Sequence, residues 1–296
     1  MKALVAMSGG VDSSVAAALM LEAGHEVIGV TLKQWAEPDG SLPRAGCCTV
    51  ADAEDARRVA AQLDIRYYVL DYVAAFAEAV VAPFADAYVN GRTPNPCVEC
   101  NRRVRFDALL DRVGDLGCDF LVTGHHARVV AGNGRYRLLQ GTDRSKDQSY
   151  VLHMLGQDQL ARVRLPIGEL TKTRVRAEAR RLGLRTASKP DSQDICFVGD
   201  GDYRRLVARL RPESARRGNV VDTDGRVLGE HDGVAGFTIG QRSGLGIAGT
   251  ELRYVVAVDA ATATVVVGPR SRLEAAGCEV TDVVFVAGAP PESPQI

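Results

Sequence analysis

The sequence predicts an α/β fold: a parallel sheet domain with crossover helices, followed by a smaller β-rich region. Three observations carry this. Short apolar runs alternate with segments of helical spacing through the first two-thirds of the chain, the pattern of a parallel sheet with right-handed crossovers. The first apolar run ends in a Ser/Gly turn that opens directly into an alanine-rich helix. Past residue 203 the texture changes to short β-rich segments separated by Asp-Gly and similar turns.

Taken in order, Leu4-Val5-Ala6 is the first strand and Ser14 to Ala23 lies in the first helix. Glu26 to Leu32 reads as a buried strand, with Val27, Ile28, Val30 and Leu32 apolar. Lys33 to Val50 is a Pro/Gly-containing loop that carries Cys47 and Cys48. Ala51 to Leu63 has helical spacing, with Asp52, Glu54 and Asp55 at the end the dipole prefers. Tyr67 to Leu70 is a third strand, Val73 to Val89 a helix interrupted at Pro83, and Asn101 to Leu116 another helix. Phe120 to Thr123 is a fourth strand, ending in Gly124-His125-His126. Arg128 to Gln140 reads as a hairpin turning at Gly132-Asn133-Gly134. Leu155 to Gly183 carries helical patterning, and Lys172 to Leu182 puts Arg174, Arg176, Arg180 and Arg181 on exposed faces. The β-rich segments are Asn219 to Asp222, Arg226 to Leu228, Val255 to Val258 and Thr264 to Val267, and the tail from Gly288 carries no packed element. The predicted boundaries are 1–202, 203–270 and 271–296.

Composition narrows the function. At 296 residues, 46% apolar and 25% charged, the chain is an ordinary globular protein. No apolar run is long enough to span a membrane, and the apolar start is too short for a signal peptide, so the expected address is cytoplasmic. Seven irregularly spaced cysteines point away from a secreted disulfide framework and toward metal, redox or sulfur chemistry. Net charge is −1, yet residues 158–217 hold 15 Lys/Arg against 8 Asp/Glu. Such a basic stretch suits either a polyanion partner or a solvated helix surface.

The stretch Ala6-Met7-Ser8-Gly9-Gly10-Val11-Asp12-Ser13-Ser14 between the first strand and helix is built for phosphate, with Ser8, Ser13 and Ser14 as hydroxyl donors. Glycines let backbone N–H groups approach a ligand, the serines add hydroxyls, and the helix adds its positive end. Asp12 beside phosphates makes sense with Mg²⁺ between them. No lysine follows the second glycine, so this is not the GxxxxGK[ST] loop. It resembles the SGGxDSS pyrophosphate loop of the ATP pyrophosphatases, which cleave ATP between its α and β phosphates. Ligands of parallel sheets bind beyond the carboxyl ends of the strands, where this loop, Leu32 and Gly124 all fall.

Thr93-Pro94-Asn95-Pro96-Cys97-Val98-Glu99-Cys100-Asn101 places two thiols one turn apart at a helix start, beside Arg102, Arg103 and Arg105, where a lowered pKa is expected. A third thiol, Cys196, lies between Ile195 and Phe197 in Asp191-Ser192-Gln193-Asp194-Ile195-Cys196-Phe197. Cys118 and Cys278 read as buried, inert cysteines. With Ser8 to Ser14, Thr93 to Pro96 with Cys100-Asn101, Thr123-Gly124-His125, Lys146-Asp147-Gln148-Ser149-Tyr150, Asp191-Ser192 with Ile195-Cys196-Phe197, and Gly240-Gln241-Arg242 with Gly244-Leu245 in order, the chain resembles the tRNA-specific 2-thiouridylases.

That resemblance implies a Rossmann-like domain (adenine nucleotide α hydrolase-like), a small β-rich tRNA-binding domain, and the start of an incomplete C-terminal β-barrel. It implies ATP held by Ala6, Met7, Ser8, Gly9, Gly10, Val11, Asp12, Ser13, Leu32 and Gly124, with Mg²⁺ at Asp12. Asn95, Pro96 and Cys97 would face the target base, and His125, Lys146, Asp147 and Gln148 would contact tRNA. Cys196 would carry a persulfide from a sulfur-donor protein (a persulfide carrier or cysteine desulfurase), with Cys100 as its partner nucleophile, so that the wobble uridine gains sulfur at C2. One departure matters. Many members have Asp where this chain has Cys97, so Cys97, Cys100 and Cys196 also offer three thiolates for a [4Fe–4S] cluster. A ligating enzyme using the same AMP chemistry on a small molecule is the further alternative, and it would not need Cys100 and Cys196.

Overall fold

The structure, a computed structural model, describes residues 1–36, 49–191, 195–198, 201–247 and 252–292; Cys47 and Cys48 lie outside them. Two compact units are present. The first joins Met1–Ala79, Cys97–Gly199 and Asp282–Ile296; the second joins Val80–Pro96 and Asp200–Thr281.

In the first unit, β1 (Lys2–Ala6), β2 (Glu26–Lys33), β3 (Arg66–Asp71) and β4 (Phe120–Val122) are followed by a hairpin, β5 (Ala127–Gly132) with β6 (Arg135–Gln140), and by a short β7 (Val163–Arg164). The main sheet runs β3-β2-β1-β4-β7 with every pair parallel. Ala3, Leu4 and Val5 of the central strand are fully buried, which is why this strand reads as an unbroken apolar run rather than an alternating one. Helix α1 (Val11–Glu22) packs through Val15, Ala16 and Ala17, whose small side chains permit close approach. Helix α2 (Val50–Gln62) adds Ala56, Val59 and Ala60 to the same core, and the Lys172–Arg181 helix adds Val175 and Ala179. The loop after β1 and the turns after β2 and β4 therefore open at one end of the sheet.

Several expected elements differ. Val73 to Val89 is not broken at Pro83: α-helical Val73–Phe76 passes through a π-helical turn, Ala77–Val81, into α-helical Ala82–Val89. Pro83 sits in the first turn of that last segment, where its missing N–H costs little. Cys100–Asp107 is likewise π-helical before Ala108–Asp115 becomes α-helical. Leu155 to Gly183 is not one helix. Gln157–Ala161 and Lys172–Arg181 are helical, and between them β7 pairs with β4, Pro166 follows, and the Gly168 Cα lies against the Ala127 carbonyl, where a Cβ would come within 1.8 Å. The predicted hairpin forms, turning on Asn133 and Gly134, both at positive φ.

The second unit holds β8 (Gly218–Val221), β9 (Val227–His231), β10 (Tyr254–Asp259) and β11 (Thr264–Gly268) in the order β10-β11-β8-β9. The β8–β11 pair is parallel and the others antiparallel, over a core of Val220, Val255, Val265 and Val267 with Phe237. The Ala82–Val89 and Tyr203–Leu210 helices meet there through stacked Tyr88 and Tyr203 rings, 4.4 Å apart.

Among the described residues, 274–292 form no helix or strand, and Cys278, expected buried, is exposed because no element there covers it. Cys118 is buried, and burial pushes its thiol pKa up. No helix among the described residues is long and apolar enough to cross a membrane.

Candidate active site

The loop after β1 owes its shape to two close approaches and an open helix end. Gly9 has φ +72°, and a Cβ there would lie 2.1 Å from the Asp52 carbonyl oxygen of α2. Gly10 is the N-cap of α1, and no side chain caps the helix, which leaves its first N–H groups available to an anion. Gly124, just past β4, lies so near the start of α1 that a Cβ would be 2.6 Å from the Ser13 nitrogen. The three serines divide their roles. Ser13 Oγ accepts from the Ser8 N–H at 3.1 Å and lies 3.3 Å from Ser8 Oγ. Ser14, expected to offer a hydroxyl to the ligand, is fully buried and donates instead to the Gly10 carbonyl at 2.7 Å.

Two lysines that sequence reasoning missed flank the loop. Lys172 Nζ donates to both Asp12 carboxylate oxygens, at 2.8 and 2.7 Å. His126 Nε2 lies 3.3 Å from the same carboxylate. Burial alone would raise the Asp12 pKa, but hydrogen bonds from His126 and Lys172 bring it below the ordinary carboxylate value. Lys189 Nζ donates to the Gly9 carbonyl at 3.0 Å, and to Asp52 and Asp55 at 2.7 Å each. Burial works against the Lys189 charge, and the two carboxylates overcome it, raising its pKa. Nothing in the local sequence marks these lysines as neighbours of the loop, since the carboxylates that hold them there, Asp12, Asp52 and Asp55, lie more than 130 positions away.

The sulfur-bearing segments meet at the end of β2. Gln34, just past that strand, donates from Nε2 to Cys100 Sγ at 3.3 Å, and both residues are buried. Its neighbour Trp35 packs on Phe197, ring centroids 6.1 Å apart, and Phe76 completes the seat at 5.6 Å. Cys196 is the residue before Phe197 and is half-buried. Adjacent residues 34 and 35 thus touch the Cys100 side chain and the ring next to Cys196. Leu32, also buried, lies two residues upstream.

The other expected residues are placed as follows. Asn95 and Pro96 belong to the second unit, exposed and buried respectively, and the exposed Cys97 begins the next segment of the first unit. His125 is buried; its Nδ1 pairs with Thr123 Oγ1 at 2.7 Å, and its ring lies 5.9 Å from that of Phe106. Burial, then the nearby Arg105 and His126, push its pKa down to about 3, so the ring is neutral. Lys146 Nζ donates to Asp191 at 2.8 Å. Asp147 accepts from the Gly141 and Ser149 backbones and from Ser149 Oγ, which organises the local turn. Gln148 is locked to the His126 backbone in both directions. Arg176, expected exposed, is half-buried and reaches Asp191 at 2.8 Å. Among the described residues no group of three or more His, Cys, Asp or Glu is arranged to hold a metal ion.

A parallel sheet whose first βα turn is an uncapped Ser-Gly-Gly loop flanked by lysines is the layout in which α/β domains receive an anionic ligand at a helix start. A family model described as the tRNA methyl transferase HUP domain matches residues 1–200, and one described as the tRNA methyl transferase PRC-barrel domain matches 205–269. Curated relatives carry a more specific description. The tRNA-specific 2-thiouridylase MnmA of Roseiflexus sp. (strain RS-1) is 50% identical over 99% of this chain and 83% of its own length. Those of Chloroflexus aurantiacus (strain J-10-fl) and Brucella suis are 52% and 49% identical, over 97% and 98% of this chain and 80% and 73% of their own. The chain belongs to the tRNA-specific 2-thiouridylase family. Among solved structures, a 4-thiouridine synthetase–RNA complex with bound ATP overlaps 72% of this chain and 50% of its own at TM-score 0.45 and 17% identity.

Proposed function

We propose that the protein is an ATP-dependent tRNA sulfurtransferase that replaces O2 of the wobble uridine with sulfur. The observation that carries this is the convergence of Cys100 and the Cys196 segment on Gln34 and Trp35, at the sheet end where the phosphate loop opens. A small-molecule ligase of the same class has no use for two sulfur arms meeting there.

ATP supplies the AMP that makes the uracil O2 a leaving group. The α1 N–H groups, Ser8 and Ser13 hold its phosphates, and Lys172 and Lys189, each already paired with carboxylates, lie beside them as counter-charges. Leu32 and Gly124 complete the nucleotide site. Mg²⁺ would be held through phosphate oxygens with Asp12 as the nearby carboxylate, where it would neutralise charge on the departing pyrophosphate. Asn95, Pro96 and Cys97 face the target base, which leaves its stack to enter. Lys146 is the residue of the 146–148 stretch suited to a tRNA phosphate, while Asp147 and Gln148 shape the turn that presents it. His125 serves the tRNA side as a neutral, buried support.

The sulfur step balances with two cysteines. A donor protein leaves Cys196 as a persulfide. Its terminal sulfur bonds to C2 of the base as the C2–O bond to AMP breaks. Cys100, as a thiolate, then bonds to the Cys196 sulfur; the S–S bond to the base breaks, and the 2-thiouracil takes the electron pair. The enzyme is left with a Cys100–Cys196 disulfide, which an external thiol reduces. Incubation with ATP, Mg²⁺, a sulfur source and unmodified tRNA, followed by mass spectrometry of the nucleosides, tests this. Cys196→Ser and Cys100→Ser should each abolish thiolation while ATP and tRNA still bind; thiolation by either variant at the native rate would overturn the proposal.

A further inference from the structure

Asp191 has no part in the chemistry above, yet it gathers three cations. Lys146 Nζ reaches its Oδ2 at 2.8 Å, while Arg176 Nη2 and Lys172 Nζ reach Oδ1 at 2.8 and 2.9 Å. The arrangement keeps it ionised. Burial would raise its pKa, but hydrogen bonds from Lys146 and Lys172 pull it down to about 2. Lys172 is the shared member, since it also holds both oxygens of Asp12 in the phosphate loop. Its side chain is only 12% exposed, so water does little to satisfy it.

The stoichiometry is tight. An ammonium has three N–H donors. Those of Lys172 match three acceptor oxygens, two on Asp12 and one on Asp191. A nucleotide phosphate arriving at the loop is a stronger acceptor of the same kind, and Lys172 can donate to it only by leaving a present partner. Asp12 is gripped through two oxygens. Asp191 is gripped through one and keeps Lys146 and Arg176 when Lys172 leaves.

We propose that Asp191 is a positioning residue that competes with the phosphates of ATP for Lys172, so that nucleotide loading is exchanged against the tether at the start of the segment leading to Cys196. This rests on the nucleotide-binding reading above. It makes Lys172 a nucleotide-binding residue and ties three stretches together through one carboxylate: the phosphate loop, the Lys146–Gln148 turn and the Cys196 segment.

The test is calorimetric binding of α,β-methylene-ATP with Mg²⁺ to the full chain, beside steady-state thiolation of tRNA. Asp191→Asn removes the competing charge at nearly constant shape. It should tighten nucleotide binding by about threefold to tenfold while lowering kcat for thiolation by about tenfold or more, a split that simple loss of structure would not give. Lys172→Gln should weaken binding by about tenfold or more. Adding Asp191→Asn to Lys172→Gln should then change the affinity no further. Tightening that persists without Lys172 would reduce the effect of Asp191 to its general field and overturn the proposal, as would weaker or unchanged binding in Asp191→Asn. Should Asp191→Asn fail to fold, native affinity in Lys172→Gln alone overturns it. A wild-type chain that binds no nucleotide would instead remove the nucleotide reading on which the proposal rests.

Discussion

His125 offers the sharpest physical test of the site. It is buried, with Nδ1 on Thr123 Oγ1, and its surroundings push its pKa from 6.5 down to about 3. In the unfolded chain the same ring takes up a proton near its ordinary value. Between those two values the unfolded state binds more protons than the folded one, so stability falls as the pH drops through that window. At pH 5 the withheld proton spans about 1.5 pH units, which at about 1.36 kcal/mol per unit is about 2 kcal/mol. The figure is insensitive to where near 3 the folded value lies, because pH 5 is well above it. Urea unfolding followed by the fluorescence of the single tryptophan, Trp35, reports on the unit that holds His125. Wild-type protein should lose about 2 kcal/mol more between pH 7 and pH 5 than His125→Asn, which keeps an amide for Thr123 but cannot titrate. The Asp191 and Asp12 carboxylates, both lowered below their ordinary values, contribute their own losses only under more acid conditions. Equal losses in the two proteins would refute the reasoning, as would an imidazole resonance of His125 that titrates near 6.5 in the folded state.

Three further outcomes follow from contacts in the first unit and from the charge of the chain. Gly124→Ala puts a Cβ 2.6 Å from the Ser13 nitrogen and 2.8 Å from the Asp12 carbonyl carbon, backbone atoms that cannot step aside. It should cost about 1–3 kcal/mol and weaken nucleotide binding by about tenfold or more, measured by calorimetry. Gln34→Leu leaves the Cys100 sulfur without its amide donor, and Cys100 should alkylate with iodoacetamide about fivefold more slowly at neutral pH, a hydrogen bond's worth of thiolate stabilisation. An unchanged rate, read by mass spectrometry of the labelled peptide, would remove Gln34 from the sulfur chemistry. If the basic 158–217 stretch meets tRNA phosphates, raising salt from about 50 to 200 mM should weaken binding by at least about tenfold, and a flat response excludes that role.

How far the site could be read in advance depends on whether a feature is local. The phosphate loop is local: strand, two glycines and helix start lie within a few residues, and Gly9 at φ +72° over Asp52 is what an adjacent Gly-Gly turn permits. The β1 and β2 apolar runs were equally plain, because burial on both faces leaves no alternation to obscure. The π-helical turns at Ala77–Val81 and Cys100–Asp107 were not legible, since one extra residue per turn leaves no signature in spacing this short. The arginines of the Lys172–Arg181 helix illustrate the same limit on charge. Helical spacing placed all four on exposed faces, and Arg174, Arg180 and Arg181 are exposed, yet Arg176 turns to Asp191.

What remained hidden is the part of the site made by long-range charge. The sheet order puts β2 and β4 on either side of β1, so the ends of three strands must be neighbours once the parallel topology is granted. No comparable rule places Lys172 on Asp12 or Lys189 on Asp52, because an ammonium on a flexible stem leaves no periodic trace in sequence. These are the contacts a polyphosphate would contest. A loop that binds phosphate through backbone N–H groups alone would have its cations free beforehand; here Lys172 and Lys189 are held by carboxylates at 2.7 to 2.9 Å. Nucleotide binding on such a surface is therefore an exchange of anions around fixed cations. Its affinity is set as much by the carboxylates that yield as by the loop that receives.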